Sequence, residues 1–167
     1  MRHGHYARPF LPVYQPRSFL TSSYAGTLGY AFPTALGAKV ACPGRPVVAL
    51  SGDGGFLYNA QEFATAAQFG INVVAVVFND NAFGNVSRDL DEAWGGSYGA
   101  QLQNPDFMKL AEAFGVVGLR TKDPLEAGDL LRAALEMDRP VLLEVPVERM
   151  SRARYFSPLT RLPKYQR

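Results

Sequence analysis

The chain has 167 residues, a length that suggests one domain with a substantial core. Hydrophobic residues make up 47% and charged residues 19% of it, proportions typical of a soluble globular protein. No apolar run approaches the roughly 18 residues that span a membrane, and the N-terminus lacks the apolar segment of a secretory signal. The single cysteine, Cys42, excludes an internal disulfide and a cysteine zinc site. We therefore expect a cytoplasmic protein with no membrane partner.

The net charge of +2 hides an uneven distribution. Residues 151–167 contain five basic residues and no acid, which leaves 12 basic against 15 acidic residues in the rest of the chain. A nucleic-acid-binding protein would need a basic face with aromatic residues over its folded body, and this body has an excess of acid. We therefore expect no nucleic-acid partner. The basic tail, 149–167, is interpreted either as a solvated extension or as a strap over a site or a partner subunit.

The N-terminal part of the chain is expected to be extended. Residues 1–25 contain three prolines among several aromatic residues, a composition that disfavours a helix. A glycine-containing segment, 26–29, then leads into a predicted helix over residues 30–41. From its residues alone, this segment is interpreted as a plain glycine turn with a core leucine.

Two apolar runs, each followed by a polar cluster, predict the centre of the fold. Residues 47–50 precede a glycine-rich cluster with Asp53, residues 73–78 precede a cluster with Asp80, and an amphipathic helix separates them. This pattern is typical of a βαβ unit, whose parallel strands end at the same edge of the sheet. Open α/β sheets bind ligands at that edge. We therefore expect Asp53 and Asp80 to lie close together, although they are 27 positions apart in the sequence.

The residue types at this edge predict a divalent cation with a diphosphate. The glycines around Asp53 let the backbone approach a ligand, and the start of the following helix offers free N–H groups that suit a phosphate. A carboxylate repels a bare phosphate, but a cation between them removes this conflict. Asp53, Asp80 and a nearby carbonyl provide the oxygen ligands that Mg²⁺ prefers. The nucleotide-binding patterns GxxxxGKS/T and GxGxxG are absent. Taken alone, residues 79–84 are equally typical of an Asx turn after a strand.

The remaining segments extend the alternation of strands and helices. Residues 85–103 are rich in glycine, and we expect them to form a mobile lid over a ligand or a long surface loop. The whole pattern favours one doubly wound α/β domain over residues 26–148. The predicted boundaries are a capping box at 59–62 with a helix end at Gly70, a helix start at 104–105 with an end at Gly115, a capping box at 123–126, and a buried strand over 141–145.

The spacing of the two polar clusters resembles the cofactor signature of thiamine-diphosphate (ThDP) enzymes. Gly52-Asp53-Gly54 is followed after 25 residues by Asp80-Asn81. The resemblance extends upstream to TSSYAGTLGYAFPTALGAKVA and downstream to PVLLEVPV, and it covers roughly residues 16–147. It is greatest for the diphosphate-binding (PP) domain of the acetolactate synthase, benzoylformate decarboxylase and pyruvate decarboxylase group. It implies a mainly parallel, doubly wound sheet with helices on both faces, of which this chain starts too late to supply the first strand.

The resemblance also implies roles for residues at this edge, with ThDP and Mg²⁺ as cofactors. The side chains of Asp53 and Asp80 and the carbonyl of Ala82 are the implied metal ligands, and Asp80 stands where the family usually has asparagine. The carbonyl of Gly26 is implied to accept from the exocyclic amine of ThDP, and the side chain of Leu28 to hold the cofactor in a V shape. The implied cofactor-binding residues are Gly26, Thr27, Leu28, Gly52, Asp53, Gly54, Gly55, Asp80 and, through its N–H, Phe83.

The function implied by the resemblance is that of a 2-oxo-acid decarboxylase or carboligase. In the resembling enzymes a glutamate on a separate pyrimidine-binding (PYR) domain activates the cofactor, so no catalytic residue is assigned here. We expect a partner chain or subunit that carries a PYR domain, a homo- or hetero-oligomer, and a small 2-oxo acid as substrate. The alternative is a non-catalytic interaction module that retains the α/β fold.

Overall fold

The computed structural model describes residues 11–22 and 25–148, and it forms one parallel α/β sheet with helices on both faces. The four strands lie in the order β1–β2–β4–β3, and every neighbouring pair is parallel. The predicted α/β class is therefore confirmed. The strands are β1 (Val48–Gly52), β2 (Val74–Asn79), β3 (Val117–Arg120) and β4 (Val141–Pro146).

Six helices connect or precede these strands in the described ranges. No strand precedes β1 within 11–22 or 25–47, and β1 lies at one edge of the sheet. The predictions for the basic tail and for residues 1–10 lie outside the described residues. The helices are α1 (Ala31–Ala41), α2 (Asp53–Phe56), α3 (Glu62–Phe69), α4 (Gly84–Trp94), α5 (Phe107–Ala113) and α6 (Pro124–Glu136).

The two faces of the sheet are covered by different helices because strand side chains alternate. Ala75 and Val77 of β2 join an apolar core formed with α1, α2, α3 and α5, whereas Val74 and Val76 join a second core formed with α6. The near-continuous burial of β2 and β4 is typical of strands covered on both sides. The sheet is therefore held rigidly between two helical layers.

Aromatic rings fill the first of these cores. Phe63 of α3 is fully buried, and its ring centroid lies 4.5 Å from that of Phe32 and 5.7 Å from that of Phe56. Phe56 in turn lies 6.0 Å from Phe107. Because Phe56 belongs to α2, this packing fixes the short helix that follows β1. The turn that carries Asp53 is thereby anchored to the core.

The parallel arrangement brings the predicted polar clusters to one edge of the sheet. Gly52, the last residue of β1, pairs with Phe78 of β2, and Asn79 pairs with Pro146 of β4. Asp53 directly follows β1 and Asp80 directly follows β2, so both lie at the carboxyl edge. The expectation that they share this edge is confirmed.

Residues 85–103 do not form the predicted loop, because residues 84–94 are helical in α4. The helix was missed because its buried residues, Gly84 and Ser87, are small or polar and give no apolar periodicity. The glycines begin only at Gly95, which ends the helix in a left-handed conformation with φ of 73°. β3 was also missed, since its four residues alternate only between half-buried and exposed positions.

Two predicted helix starts were wrong in detail. Helix α3 begins at Glu62 without a side-chain cap, because Asn59 Oδ1 accepts from Gln61 Nε2 (3.3 Å) while its Nδ2 donates to the Gly29 carbonyl (2.9 Å). Helix α5 is capped by Asp106, whose side chain accepts from the Met108 N–H (2.9 Å), and not by Asn104. The predicted cap of α6 at Asp123 is confirmed, but the predicted capping box is wrong, because the Asp123 N–H donates to Thr121 Oγ1 (3.0 Å) and not to Glu126. No helix of the described chain has the length and hydrophobicity of a membrane-crossing segment.

Helix α3 offers a matched test of the aromatic core. Phe63→Ala should lower the free energy of unfolding by about 3–5 kcal/mol, because it leaves a cavity among packed rings. Phe69→Ala, on the same helix but 67% exposed, should change it by no more than about 0.5 kcal/mol. Urea unfolding followed by circular dichroism measures both. Equal losses in the two variants would contradict the described packing.

Candidate functional site

Asp53 is the most deeply buried carboxylate at the carboxyl edge, with 1% of the residue exposed. It is the first residue of α2, directly after β1. Its Oδ2 accepts a hydrogen bond from Asn104 Nδ2 at 2.7 Å. Its Oδ1 is buried and has no hydrogen-bond partner among the described residues. Buried polar atoms without partners are rare because they lose their hydration without compensation, so this oxygen is a candidate ligand for a cation.

The electrostatic surroundings of Asp53 disfavour its ionised form. Burial raises the pKa of Asp53 above its ordinary value, and the hydrogen bond from Asn104 and the nearby backbone N–H of Gly54 only partly oppose this. The negative charge of Asp80 also raises the pKa of Asp53, although less than burial does. A divalent cation beside both would reverse these effects. The charges therefore fit a metal site.

A chain of hydrogen bonds links Asp53 to the other strand ends. Asn104 Nδ2 also donates to Asn79 Oδ1 at 2.9 Å, and Asn79 Nδ2 donates to Glu144 Oε1 at 2.8 Å. Glu144 is buried in β4, and its Oε2 accepts from Arg120 Nε at 2.6 Å. The guanidinium of Arg120 also pairs with Asp106 at 2.8 Å. Unlike Asp53, the buried carboxylate of Glu144 has partners on both oxygens.

The segment after β2 is held by backbone bonds. Asn81 has a φ of 53°, and its N–H donates to Asn79 Oδ1 at 3.2 Å, as in an Asx turn. The Phe83 N–H donates to the Ala100 carbonyl at 2.9 Å, and the predicted bond from this N–H to a diphosphate is not available in this arrangement. The Leu102 N–H donates to the Asn81 carbonyl at 2.8 Å. These two bonds do not use the carbonyl of Ala82, the predicted metal ligand.

The glycine turn packs closely against side chains from other segments. A Cβ atom on Gly54 would lie 2.5 Å from Cε1 of Phe83, so this glycine admits the phenyl ring. A Cβ on Gly55 would lie 3.6 Å from Cδ2 of Leu28, which places that predicted cofactor contact beside the turn. The first predicted site segment, around Leu28, and the last, around Phe83, therefore both reach the glycine turn.

The predicted site residues fall into two groups. Residues 52–55, Asp80 and Phe83 share the carboxyl edge, and Leu28 adjoins it. Gly26 and Thr27 are exposed on the segment before α1, where Gly26 has a φ of 59°. Their predicted roles stay predictions.

Asn104 was not predicted as a site residue. The sequence did contain one signal for it. Asp106, two residues later, is a good cap for α5, so Asn104 is not needed as the cap and its amide can bond elsewhere. Glu144 was missed for a different reason: a single acid in an apolar strand does not reveal which residues face it.

The site provides few protein ligands for a metal. No cluster of three or more His, Cys, Asp or Glu side chains suited to a metal occurs within the described ranges. Mg²⁺ commonly binds through one or two carboxylates together with phosphate oxygens and water. Two carboxylates at the strand ends, one with an oxygen to which no described residue donates, therefore fit Mg²⁺ held jointly with a diphosphate.

Comparison with known protein families identifies the family of this chain. Residues 2–145 match the family described as "Thiamine pyrophosphate enzyme, C-terminal TPP binding domain". The chain belongs to the thiamine pyrophosphate enzyme family. This confirms the predicted family and the predicted cofactors, since thiamine diphosphate with Mg²⁺ is the usual cofactor pair of these enzymes.

Relatives of this thiamine pyrophosphate enzyme domain include acetolactate synthases. The chain is 39% identical over 142 residues to the probable acetolactate synthase large subunit of Methanococcus aeolicus, covering 80% of this chain and 22% of the relative. It is 35% identical over 146 residues to the acetolactate synthase of Bacillus subtilis (strain 168), covering 87% and 26%. The chain thus spans about a quarter of the length of these relatives.

A solved structure supports the same fold. The thiamine diphosphate-dependent 4-hydroxybenzoylformate decarboxylase of Rhodococcus jostii RHA1 matches with a TM-score of 0.68 and 33% sequence identity. The match covers 72% of this chain and 23% of that one. The predicted PP-domain fold is therefore confirmed.

The buried charge of Asp53 should destabilise the metal-free protein at neutral pH. A raised native pKa means that the native state binds more protons than the unfolded state above the ordinary pKa of 3.8, so stability falls as pH rises through this window. Asp53→Asn should therefore raise the thermal unfolding midpoint of metal-free protein at pH 7, and less so at pH 5. The control is Asp106→Asn: the backbone N–H of Met108 lowers the pKa of Asp106, so this variant should not gain stability. A lower midpoint for Asp53→Asn at pH 7 would contradict the account.

The ring beside the glycine turn gives a steric test. Gly54→Ala should lower the free energy of unfolding by about 1–3 kcal/mol, because its Cβ would overlap the Phe83 ring. Gly55→Ala should be tolerated, because its nearest neighbour, Ser51 Oγ, would lie at 3.4 Å. Denaturant unfolding of both variants, and of Gly54→Ala combined with Phe83→Leu, checks this. The double variant should recover part of the lost free energy of unfolding. If it recovers none, the destabilisation by Gly54→Ala does not come from the Phe83 ring.

Proposed function

We propose that this chain is the Mg²⁺-dependent ThDP-binding domain of a 2-oxo-acid decarboxylase or carboligase resembling acetolactate synthase. The observation that carries the proposal is the buried Oδ1 of Asp53, which has no hydrogen-bond partner in the described part of the chain and lies at the carboxyl edge that also holds Asp80. An unsatisfied anionic oxygen at this place accepts a cation, and a cation there draws in an anionic diphosphate.

The proposed metal ligands are the side chains of Asp53 and Asp80 and the carbonyl of Ala82. The glycine turn, residues 52–55, would let the diphosphate approach the backbone, and Leu28 would contact the rest of the cofactor. When bound, ThDP supplies the carbanion-stabilising chemistry needed to decarboxylate a 2-oxo acid. The residues of this chain position the cofactor and neutralise its diphosphate through the metal.

The activating acid is proposed to come from outside the chain. Glu144 bonds to Asn79 and Arg120, and Glu62 accepts from the Thr65 hydroxyl at 2.8 Å, so both carboxylates have structural partners. The relatives are about four times as long as this chain, which leaves room for further domains. We propose that a PYR domain on a partner chain or subunit provides the glutamate within an oligomer, and that the substrate is a small 2-oxo acid in the cytoplasm.

The second candidate is a non-catalytic interaction module with the same fold. Two observations favour it: Asp80 brings a second negative charge to the site, and the Phe83 N–H is already bonded to Ala100. Such a module would keep the sheet and its cores without binding the cofactor. Direct binding measurements distinguish the two candidates.

Calorimetric titration of the full chain with ThDP tests the proposal. Binding should require Mg²⁺ and should disappear in Asp53→Ala, because the buried metal ligand is lost. Asp91→Ala, which removes an exposed carboxylate from α4, should bind as the unmodified chain does. At a ligand concentration of 100 times Kd, the unmodified chain should gain about 2.7 kcal/mol of stability against unfolding.

The outcomes separate the candidates. Metal-dependent binding that Asp53→Ala abolishes and Asp91→Ala retains supports the ThDP-binding domain. An unmodified chain that binds no ThDP in the presence of Mg²⁺ contradicts it and favours the interaction module. Binding that is independent of Mg²⁺ would retain the cofactor but remove the metal from the proposal.

A further inference from the structure

The amide of Asn104 connects three segments of the site. Its Nδ2 donates both to Asp53 Oδ2 at 2.7 Å and to Asn79 Oδ1 at 2.9 Å. Its own Oδ1 is buried with no partner among the described residues. An amide that served only to fix a loop would be expected to use its acceptor as well, because an unpaired buried acceptor is unfavourable.

The orientation of the Asn104 amide is determined by the buried carboxylate of Glu144, to which it is connected through two successive hydrogen bonds. Glu144 has only acceptor oxygens when ionised, so Asn79 must turn its Nδ2 toward it and its Oδ1 toward Asn104. Arg120 donates to the other oxygen of Glu144 and keeps that carboxylate in place. Asn104 then faces two acceptors, the Asn79 and Asp53 oxygens, and only its NH₂ group satisfies both. The donor to Asp53 is therefore fixed by residues outside the metal site.

We propose that Asn104 is a positioning residue that makes Asp53 a one-oxygen metal ligand and thereby selects Mg²⁺ over Ca²⁺. This inference rests on the proposed function. The amide competes with a cation for Oδ2 and leaves Oδ1 to it, so that binding of the metal through Oδ1 alone is favoured over chelation by both oxygens. No contact between Asn104 and the metal is needed.

The selectivity follows from the different demands of the two ions. Mg²⁺ requires near-octahedral geometry with ligands at about 2.0–2.1 Å, which single carboxylate oxygens provide. Ca²⁺ accepts about 6–8 oxygens at about 2.3–2.6 Å and readily takes both oxygens of a carboxylate. A hydrogen bond to Oδ2 competes with Ca²⁺ for the second carboxylate oxygen that this ion would use. Removal of that bond should help Ca²⁺ more than Mg²⁺.

The test is the ratio of Mg²⁺ to Ca²⁺ affinity, measured by calorimetric titration of each ion into the full chain with saturating ThDP. Asn104→Ala should weaken Mg²⁺ binding about tenfold, in the range typical for loss of a residue that orients a metal ligand. Its Ca²⁺ affinity should fall less or rise, so the ratio should drop. Gln103→Ala, an exposed amide from the adjacent position, should leave both affinities unchanged.

The ratio separates positioning from a general structural effect. A distorted site would lose affinity for both ions in proportion, so an unchanged ratio in Asn104→Ala overturns the inference. Asn104→Leu, which keeps the volume and removes the donor, gives the same comparison if Asn104→Ala does not fold. A preference of the unmodified chain for Ca²⁺ would also overturn it, without any variant.

The proposed function fails by a different result. If the unmodified chain binds neither ion with ThDP, both the proposed function and this inference are wrong. If Asp53→Ala abolishes binding of both ions and Asn104→Ala keeps the ratio, only the positioning role of Asn104 is wrong.

Discussion

The carboxylate of Asp53 is the group on which the site depends. One of its oxygens is bonded to Asn104, and the other is buried at the end of a parallel strand without a partner in residues 11–22 or 25–148. Burial and the nearby charge of Asp80 raise the free energy of its ionised form. The buried carboxylate therefore lowers the stability of the metal-free chain, and binding of a cation would restore that stability.

The rigid parts of the fold keep this carboxylate in place. The aromatic core fixes α2 behind the strand end, and the parallel pairing of β1, β2 and β4 aligns Gly52, Asn79 and Pro146 at one edge. Glu144 and Arg120 then determine how the amides of the site are turned. The ion pair of Glu144 and Arg120, on neighbouring strands, thus influences the hydrogen bonding of Asn104 through Asn79.

Much of this arrangement could be predicted from the sequence. Apolar strands ending in glycines and acids predicted the parallel βαβ unit and its shared edge, because these features depend on local patterns, whereas the cation expected at that edge stays a prediction. The roles of Asn104 and Glu144 could not be predicted, since both depend on which side chains face each other across strands distant in sequence. Helix α4 was missed because it buries Gly84 and Ser87 rather than an apolar stripe. The N–H of Phe83 was predicted to face a ligand, but pairing with Ala100 depends on a long-range contact.

The central claim is that the cation binds to Oδ1 of Asp53. A crystal structure of the chain with ThDP and Mn²⁺, in which the metal is located by its anomalous scattering, tests this most directly. The account predicts Mn²⁺ bound to Asp53 through a single oxygen, with the amide of Asn104 still bonded to the other. Mn²⁺ chelated by both oxygens would contradict the role of Asn104, and Mn²⁺ bound away from Asp53 would contradict the whole account.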